Sequence, residues 1–155
     1  MRLDPTPRNS EFEKVIRESF ARQAMMASLG ARLSLVEPGR VHVAMDRSDR
    51  FSQQHGFLHA GAVTSIADSA CGYAAYSLAP AGTEVLSVEF KVNLVAPARS
   101  PRFEARAQVL RSGATLTSCF AQVFGLGEGD EVLVAAMLST LIIRPTGRLP
   151  STEPR

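Results

Sequence analysis

Residues 59–77 read HAGAVTSIADSACGYAAYS, and the reading of this stretch decides the fold. Val63, Ile66, Ala67, Ala70, Tyr73 and Ala74 recur at helical spacing, and Pro80 closes the run, which predicts a helix over 60–78. Its surface is small or apolar on nearly every side, so protein must cover it. It is also too polar to span a membrane, since Thr, Ser, Gly and one Asp interrupt it.

Working outward, residues on the C-terminal side switch to a period of two. Leu86, Val88, Phe90, Val92, Leu94 and Ala96 alternate with Ser87, Glu89, Lys91 and Asn93, the pattern of a strand over 85–96 with one buried face. Phe103, Ala105, Ala107 and Val109 repeat it over 102–110. Turns at Arg111-Ser112-Gly113 and within 125–130 lead into strands over 115–124 and 131–143, which makes these long strands antiparallel neighbours. On the N-terminal side, Pro38-Gly39 separates short strands at 31–37 and 40–45, and 48–58 reads as a loop. Ser10 and Glu13 form a capping-box pattern ahead of Phe12, Val15, Ile16 and Phe20, predicting a single helix over about 10–29 that stops at Gly30. Residues 145–155 read as a loose tail. With no βαβ rhythm and no repeat, the order of elements is α+β: one curved antiparallel sheet of five or six strands wrapped round the long helix.

The chain of 155 residues is the size of one domain, and its 45% hydrophobic and 21% charged residues are those of a globular protein. A net charge of +2, with the basic residues scattered, gives no nucleic-acid footprint. Cys71 and Cys119 stand far apart, without a CxxC motif, so neither a zinc ribbon nor a disulfide framework is expected. The charged N-terminus lacks the apolar run of a signal peptide, and the expectation is a cytoplasmic protein without a membrane partner.

Asp68 is the only Asp, Glu, Lys or Arg in 59–77. A carboxylate on a covered helix is costly unless partnered, and its neighbours one turn away, Thr64, Ser65, Cys71 and Gly72, leave it facing a gap. From the helix alone two readings stand: a nucleophile or general base, or a structural carboxylate bonded to backbone donors or an Arg. At the helix start, His59-Ala60-Gly61 exposes backbone N–H groups where the dipole favours negative charge, a candidate oxyanion hole to which Gln53 and Gln54 add amide donors. Ala60 and Asp68 are eight residues apart, about 12 Å along a helix. A nucleophile must stand about 3 Å from the carbon whose oxygen the donors hold, so one chain does not perform both tasks. Two copies with antiparallel central helices about a two-fold axis would bring Asp68 of one to the helix start of the other.

At these residues the sequence resembles the hotdog-fold thioesterases, in particular the PaaI-like group of the phenylacetate-pathway enzyme and the THEM-type acyl-CoA thioesterases. The resemblance rests on residues 53–61 (QQHGFLHAG) continuing to Asp68, then on Ser87-Val88-Glu89-Phe90 with Asn93 and Pro97, and its order of elements runs from about 10 to 143. It implies a homodimer or dimer of dimers that hydrolyses acyl- or aryl-CoA thioesters, with coenzyme A as part of the substrate and no cofactor. Asp68 would be the catalytic carboxylate, the Ala60 N–H would polarise the thioester carbonyl, and Gln53 would lie near that carbonyl or the leaving group. His59 and Gly61 would complete the substrate-binding helix start, with His59 read as a local hydrogen-bonding residue that holds it, and Ser87 would orient water. Ala60 replaces the glycine of many members, and Gln53 is longer than their commoner Asn.

His55, His59 and Asp68 lack a further acid or Cys to complete a zinc set, so no metal is expected. No G-x-S-x-G elbow supports a Ser-His-Asp triad. Arg99, with Arg102 and Arg144, is a candidate for CoA phosphates. A non-catalytic acyl-CoA-binding protein on the same fold is the alternative function.

Overall fold

The computed structural model describes residues 5–147. Helices α1 (Phe12–Ala21) and α2 (Ala24–Leu29) precede strands β1 (Arg32–Glu37) and β2 (Arg40–Asp46). After a short turn of helix at Asp49–Phe51 comes α3 (Ala60–Tyr76), followed by β3 (Thr83–Leu94), β4 (Arg102–Ser112), β5 (Leu116–Leu126) and β6 (Glu131–Pro145). The six strands form one antiparallel sheet in the order β1-β2-β4-β5-β6-β3. It curves round α3, the hotdog arrangement that the resemblance implied.

Close packing of α3 follows from residue size. Ala62, Ala67, Ala70, Ala74 and Ala75 on the helix, and Ala105, Ala107, Ala121 and Ala135 on the strands beneath, are all buried. Small residues on both surfaces let the helix lie close to the sheet, while Ile66, Phe103, Met137 and Leu141 fill the remaining space. Burying a side chain such as Ile66, which is fully inaccessible, contributes roughly 1.5–3 kcal/mol relative to leaving it exposed.

Three expectations are corrected. The N-terminal helix is not continuous over 10–29: it breaks at Arg22-Gln23, where Gln23 adopts an extended conformation (ψ 102°) and its side chain turns to α3. The Ser10–Glu13 capping box does not form; α1 begins at Glu11 without a side-chain cap, and Asn9 Oδ1 accepts from the Glu11 N–H instead. The alternation of β3 gives only a partly buried face, because β3 is an edge strand: Val85 and Val92 pack partly buried against the core, while Phe90 and Leu94 are 43% and 55% exposed. Of the expected tail, Pro145 ends β6 and the part from 148 onward lies outside the described residues.

Candidate active site

The start of α3 is built from a loop that holds itself together. The Gln53 carbonyl oxygen accepts from the Gly56 N–H, its side-chain Oε1 accepts from the His55 N–H, and its own N–H donates to the Phe57 carbonyl. Arg47 ties this loop to the next by donating to the carbonyls of Gly56 and Arg99. Gly56 has φ +80°, which glycine adopts without strain. The Gln53 Nε2 group donates to no acceptor among the described residues and remains available.

His59 is the N-cap of α3, and its Nδ1 accepts from the Gly61 N–H at 2.8 Å. An imidazole nitrogen here replaces the usual Ser, Thr or Asp oxygen. Gly61 suits this cap, since a Cβ there would sit 3.0 Å from His59 Nδ1. The Ala62 and Val63 N–H groups donate to the His59 carbonyl. That leaves the Ala60 N–H as the first-turn donor without an acceptor among the described residues. Sequence reading offered several open donors at this helix start; the fold reserves one, and assigns His59 and Gly61 to holding it in place.

Beside this N–H opens a cleft of about 520 Å³, lined by Gln53, Phe57, Ala60, Leu94, Pro97 and Val134 among others. The Arg99 guanidinium lies 4.6 Å from the centroid of the ring of Phe57, one of the residues that line this cleft. Arg102 and Arg144 are exposed at strand ends.

Asp68 occupies a different environment, two turns along α3. It is half-buried in the isolated chain rather than enclosed. Its Oδ1 accepts from Ser87 Oγ at 2.6 Å, and Oδ2 has no partner among the described residues. Ser87 reaches it because β3 carries a bulge. Ser87 pairs with Leu141 and Glu89 with Thr140, so Val88 is the extra residue and the inward face changes from Phe90 and Val92 to Ser87 and Val85. Without that insertion, strict alternation would place Ser87 on the outer face with Glu89 and Lys91.

Next to Asp68, side chains that sequence reading did not single out as a site converge. Gln23 Nε2 donates to the Tyr73 hydroxyl at 2.9 Å, Ser69 Oγ donates to Gln23 Oε1 at 3.3 Å, and Ser19 Oγ stands 3.2 Å from the same Tyr73 hydroxyl. Burial pushes the Tyr73 phenol above its ordinary value, against the lowering effect of its bonds to Ser19 and Gln23, so it remains a neutral hydroxyl. Cys71, expected beside the gap, is buried instead, with its thiol pushed up by burial. Among the described residues, no three His, Cys, Asp or Glu side chains are grouped to share a metal ion.

The sequence model of the thioesterase superfamily matches residues 55–138, from the loop before α3 through most of β6. The chain belongs to that superfamily. A crystal structure of a thioesterase family protein from Silicibacter pomeroyi is 47% identical, covering 86% of this chain and 98% of that one with a TM-score of 0.85. A Saccharolobus solfataricus protein named as an esterase is 30% identical over 104 residues, 66% of this chain and 74% of its own length. The Escherichia coli PaaI protein, from the phenylacetic acid degradation operon, shares the fold at 19% identity, with a TM-score of 0.76 over 85% of this chain and 92% of that one. Membership makes this superfamily chain a hydrolase of the thioesterase class. No helix among its described residues is long and apolar enough to cross a membrane.

Proposed function

We propose that the chain hydrolyses acyl- or aryl-CoA thioesters to the free acid and coenzyme A, as a two-fold dimer whose sites each draw on both protomers. The supporting observation is the division of the chemistry along α3. An unpaired Ala60 N–H lies at its start, and a carboxylate held by Ser87 lies eight residues on, about 12 Å away along the axis. The edge strand β3 favours pairing, because one edge of its twelve residues pairs with β6 while the other has no neighbouring strand among the described residues, and because it exposes Val88, Phe90 and Leu94. A long apolar edge of this kind is ordinarily covered. Pairing of such dimers into a tetramer would use the outer sheet face, where Leu116 and Leu138 are exposed beside Phe120.

In this arrangement the Ala60 N–H of one protomer, with the Gln53 amide, holds the thioester oxygen as it gains negative charge. Asp68 of the other protomer attacks the carbonyl carbon through Oδ2, or takes a proton from the water that does. Ser87 holds Oδ1 and so fixes which oxygen faces the substrate. The C–S bond breaks and coenzyme A leaves as the thiolate, its phosphates meeting Arg99; after direct attack the acyl group stays on Asp68 as a mixed anhydride, which water then cleaves to the free acid and the regenerated carboxylate, whereas after attack by water the proton held by Asp68 passes to the departing thiolate. Thiol release from a panel of acyl- and aryl-CoA thioesters tests the reading, with Asp68→Asn alongside. Turnover by the wild type and its loss in the variant are expected; tight binding without turnover would replace hydrolysis by acyl-CoA binding.

A further inference from the structure

The cleft beside the Ala60 N–H is walled chiefly by two stretches, 53–60 leading into α3 and 94–98 leading out of β3. Both are mostly loop, so no sheet ladder sets their separation; the bonds that cross between them do. The Leu58 N–H donates to the Ala98 carbonyl, and the Arg47 N–H to the Pro101 carbonyl. The Arg47 side chain adds a bond to each loop at once: one guanidinium nitrogen donates to the Gly56 carbonyl and the other to the Arg99 carbonyl. No other side chain among the described residues bonds to both loops. Arg47 makes no salt bridge among those residues either, although Asp46 and Asp49 are close to it in sequence, and Asp46 pairs with Arg32 instead. A planar fork of donors suits two carbonyls held in fixed relation.

The bond to Gly56 falls where the chain is least constrained. Gly56 has φ +80°, and a Cβ there would meet nothing within 4 Å, so neither a side chain nor packing fixes the peptide that follows it. That peptide belongs to the turn that carries Gln53. The Gly56 N–H closes on the Gln53 carbonyl, and the Gln53 N–H reaches the Phe57 carbonyl. Gln53 Oε1 is taken by the His55 N–H within the same turn, so any tilt of the turn swings the Nε2 donor with it.

The size of the two possible consequences separates them. Arg47 is only half-buried, so water can take over its partners and its loss costs the fold modestly. Displacing a donor by about 1 Å from a reacting group costs up to about a hundredfold in rate. The effect of Arg47 therefore falls on the donor more than on the fold.

We infer that Arg47 is a positioning residue for hydrolysis: its fork onto the two loops holds the turn at 53–56 so that the Gln53 amide meets the thioester oxygen together with the Ala60 N–H. This rests on the oxyanion grip proposed above. Arg47→Met is expected to lower kcat by about tenfold with KM nearly unchanged. Arg47→Lys, which keeps the charge and donors without the planar fork, should lose less. In a double-mutant cycle with Gln53→Met, which itself lowers kcat, Arg47→Met should cost little more, because the donor it aims is already gone. Thermal melts report folding, and should Arg47→Met not fold, Arg47→Lys takes its place in the cycle. Wild-type kcat in a folded Arg47→Met or in Gln53→Met, or the same loss from Arg47→Met in both backgrounds, would overturn the inference. The infrared carbonyl stretch of isotope-labelled benzoyl-CoA bound to Asp68→Asn separates the inference from the function it rests on. The stretch should fall on binding and return toward its solution value when Arg47→Met is added. That result with no thioester hydrolysed by the wild type would refute the thioesterase reading and leave the positioning role standing. Hydrolysis with a stretch indifferent to Arg47 would do the reverse, and no fall on binding would overturn the positioning role outright.

Discussion

The two functional ends of α3 are built by different means. At Ala60 the working group is a backbone N–H, left over after His59 caps Gly61 and accepts from Ala62 and Val63. Its position is set by a loop tied through Gln53 and Arg47. At Asp68 the working group is a side chain, held by a hydroxyl that a strand bulge has turned inward. The first end adjoins a cleft rich in apolar residues, the second a cavity rich in polar ones. In the proposed function the first end grips an oxygen that gains charge, and the second delivers the base. In the proposed reading, a single helix thus carries two half-sites facing different surroundings, each completed by a second copy of the chain.

Breaking the Asp68 end should have the largest effect. Asp68→Asn keeps the size and the bond from Ser87 but removes the base, and should lower kcat/KM by about 10³, measured by thiol release with an unchanged melting curve. At the other end, Ala60→Pro removes only the N–H. Proline is well tolerated at the first helical position, and His59 already has the extended conformation (ψ 140°) that a following proline requires. A fall in kcat of about 10² is expected, as for loss of one oxyanion donor.

Phe90→Lys places a charge at an exposed apolar side chain of the β3 edge strand. It should convert dimer to monomer in sedimentation and reduce activity tenfold or more, increasingly on dilution; a monomer of undiminished activity would contradict the two-chain site. Ser87→Ala should cost about tenfold in kcat/KM, the worth of one hydrogen bond to a charged group. The smallest effect belongs to the cap. His59→Ala should lower unfolding stability by about 1 kcal/mol, seen as a shift in denaturation midpoint, and His59→Asn should recover most of it.

The two ends were unequally legible in the sequence. Helical spacing over Val63, Ile66, Ala70 and Tyr73 located α3, and the alternation of Phe103, Ala105 and Ala107 located β4, since each period reports one buried face. Small residues at 60–61 marked the helix start, and a lone carboxylate on a covered helix marked Asp68. His59 was legible as a local hydrogen-bonding residue that holds the helix start, but not which donor it takes, the Gly61 N–H, because a His cap lacks the usual Ser, Thr or Asp signal. The bulge at Val88 was hidden too: the run from Leu86 to Leu94 alternates without interruption, and an inserted residue shows only in the pairing with β6. The break at Gln23 escaped for a related reason. Residues on both sides favour helix, and the side chain is turned by tertiary bonds to Tyr73 and Ser69 that no local pattern announces.

Mixing two disabled variants tests the shared site most directly. Asp68→Asn and Ala60→Pro, each nearly inactive alone, are unfolded together in equal amounts and refolded. If each site takes its carboxylate from one chain and its N–H from the other, half of the dimers are mixed and each carries one intact site, so about a quarter of wild-type activity returns. If both groups serve within a single chain, no mixed dimer holds an intact site, and activity that stays at the level of the separate variants would contradict the account.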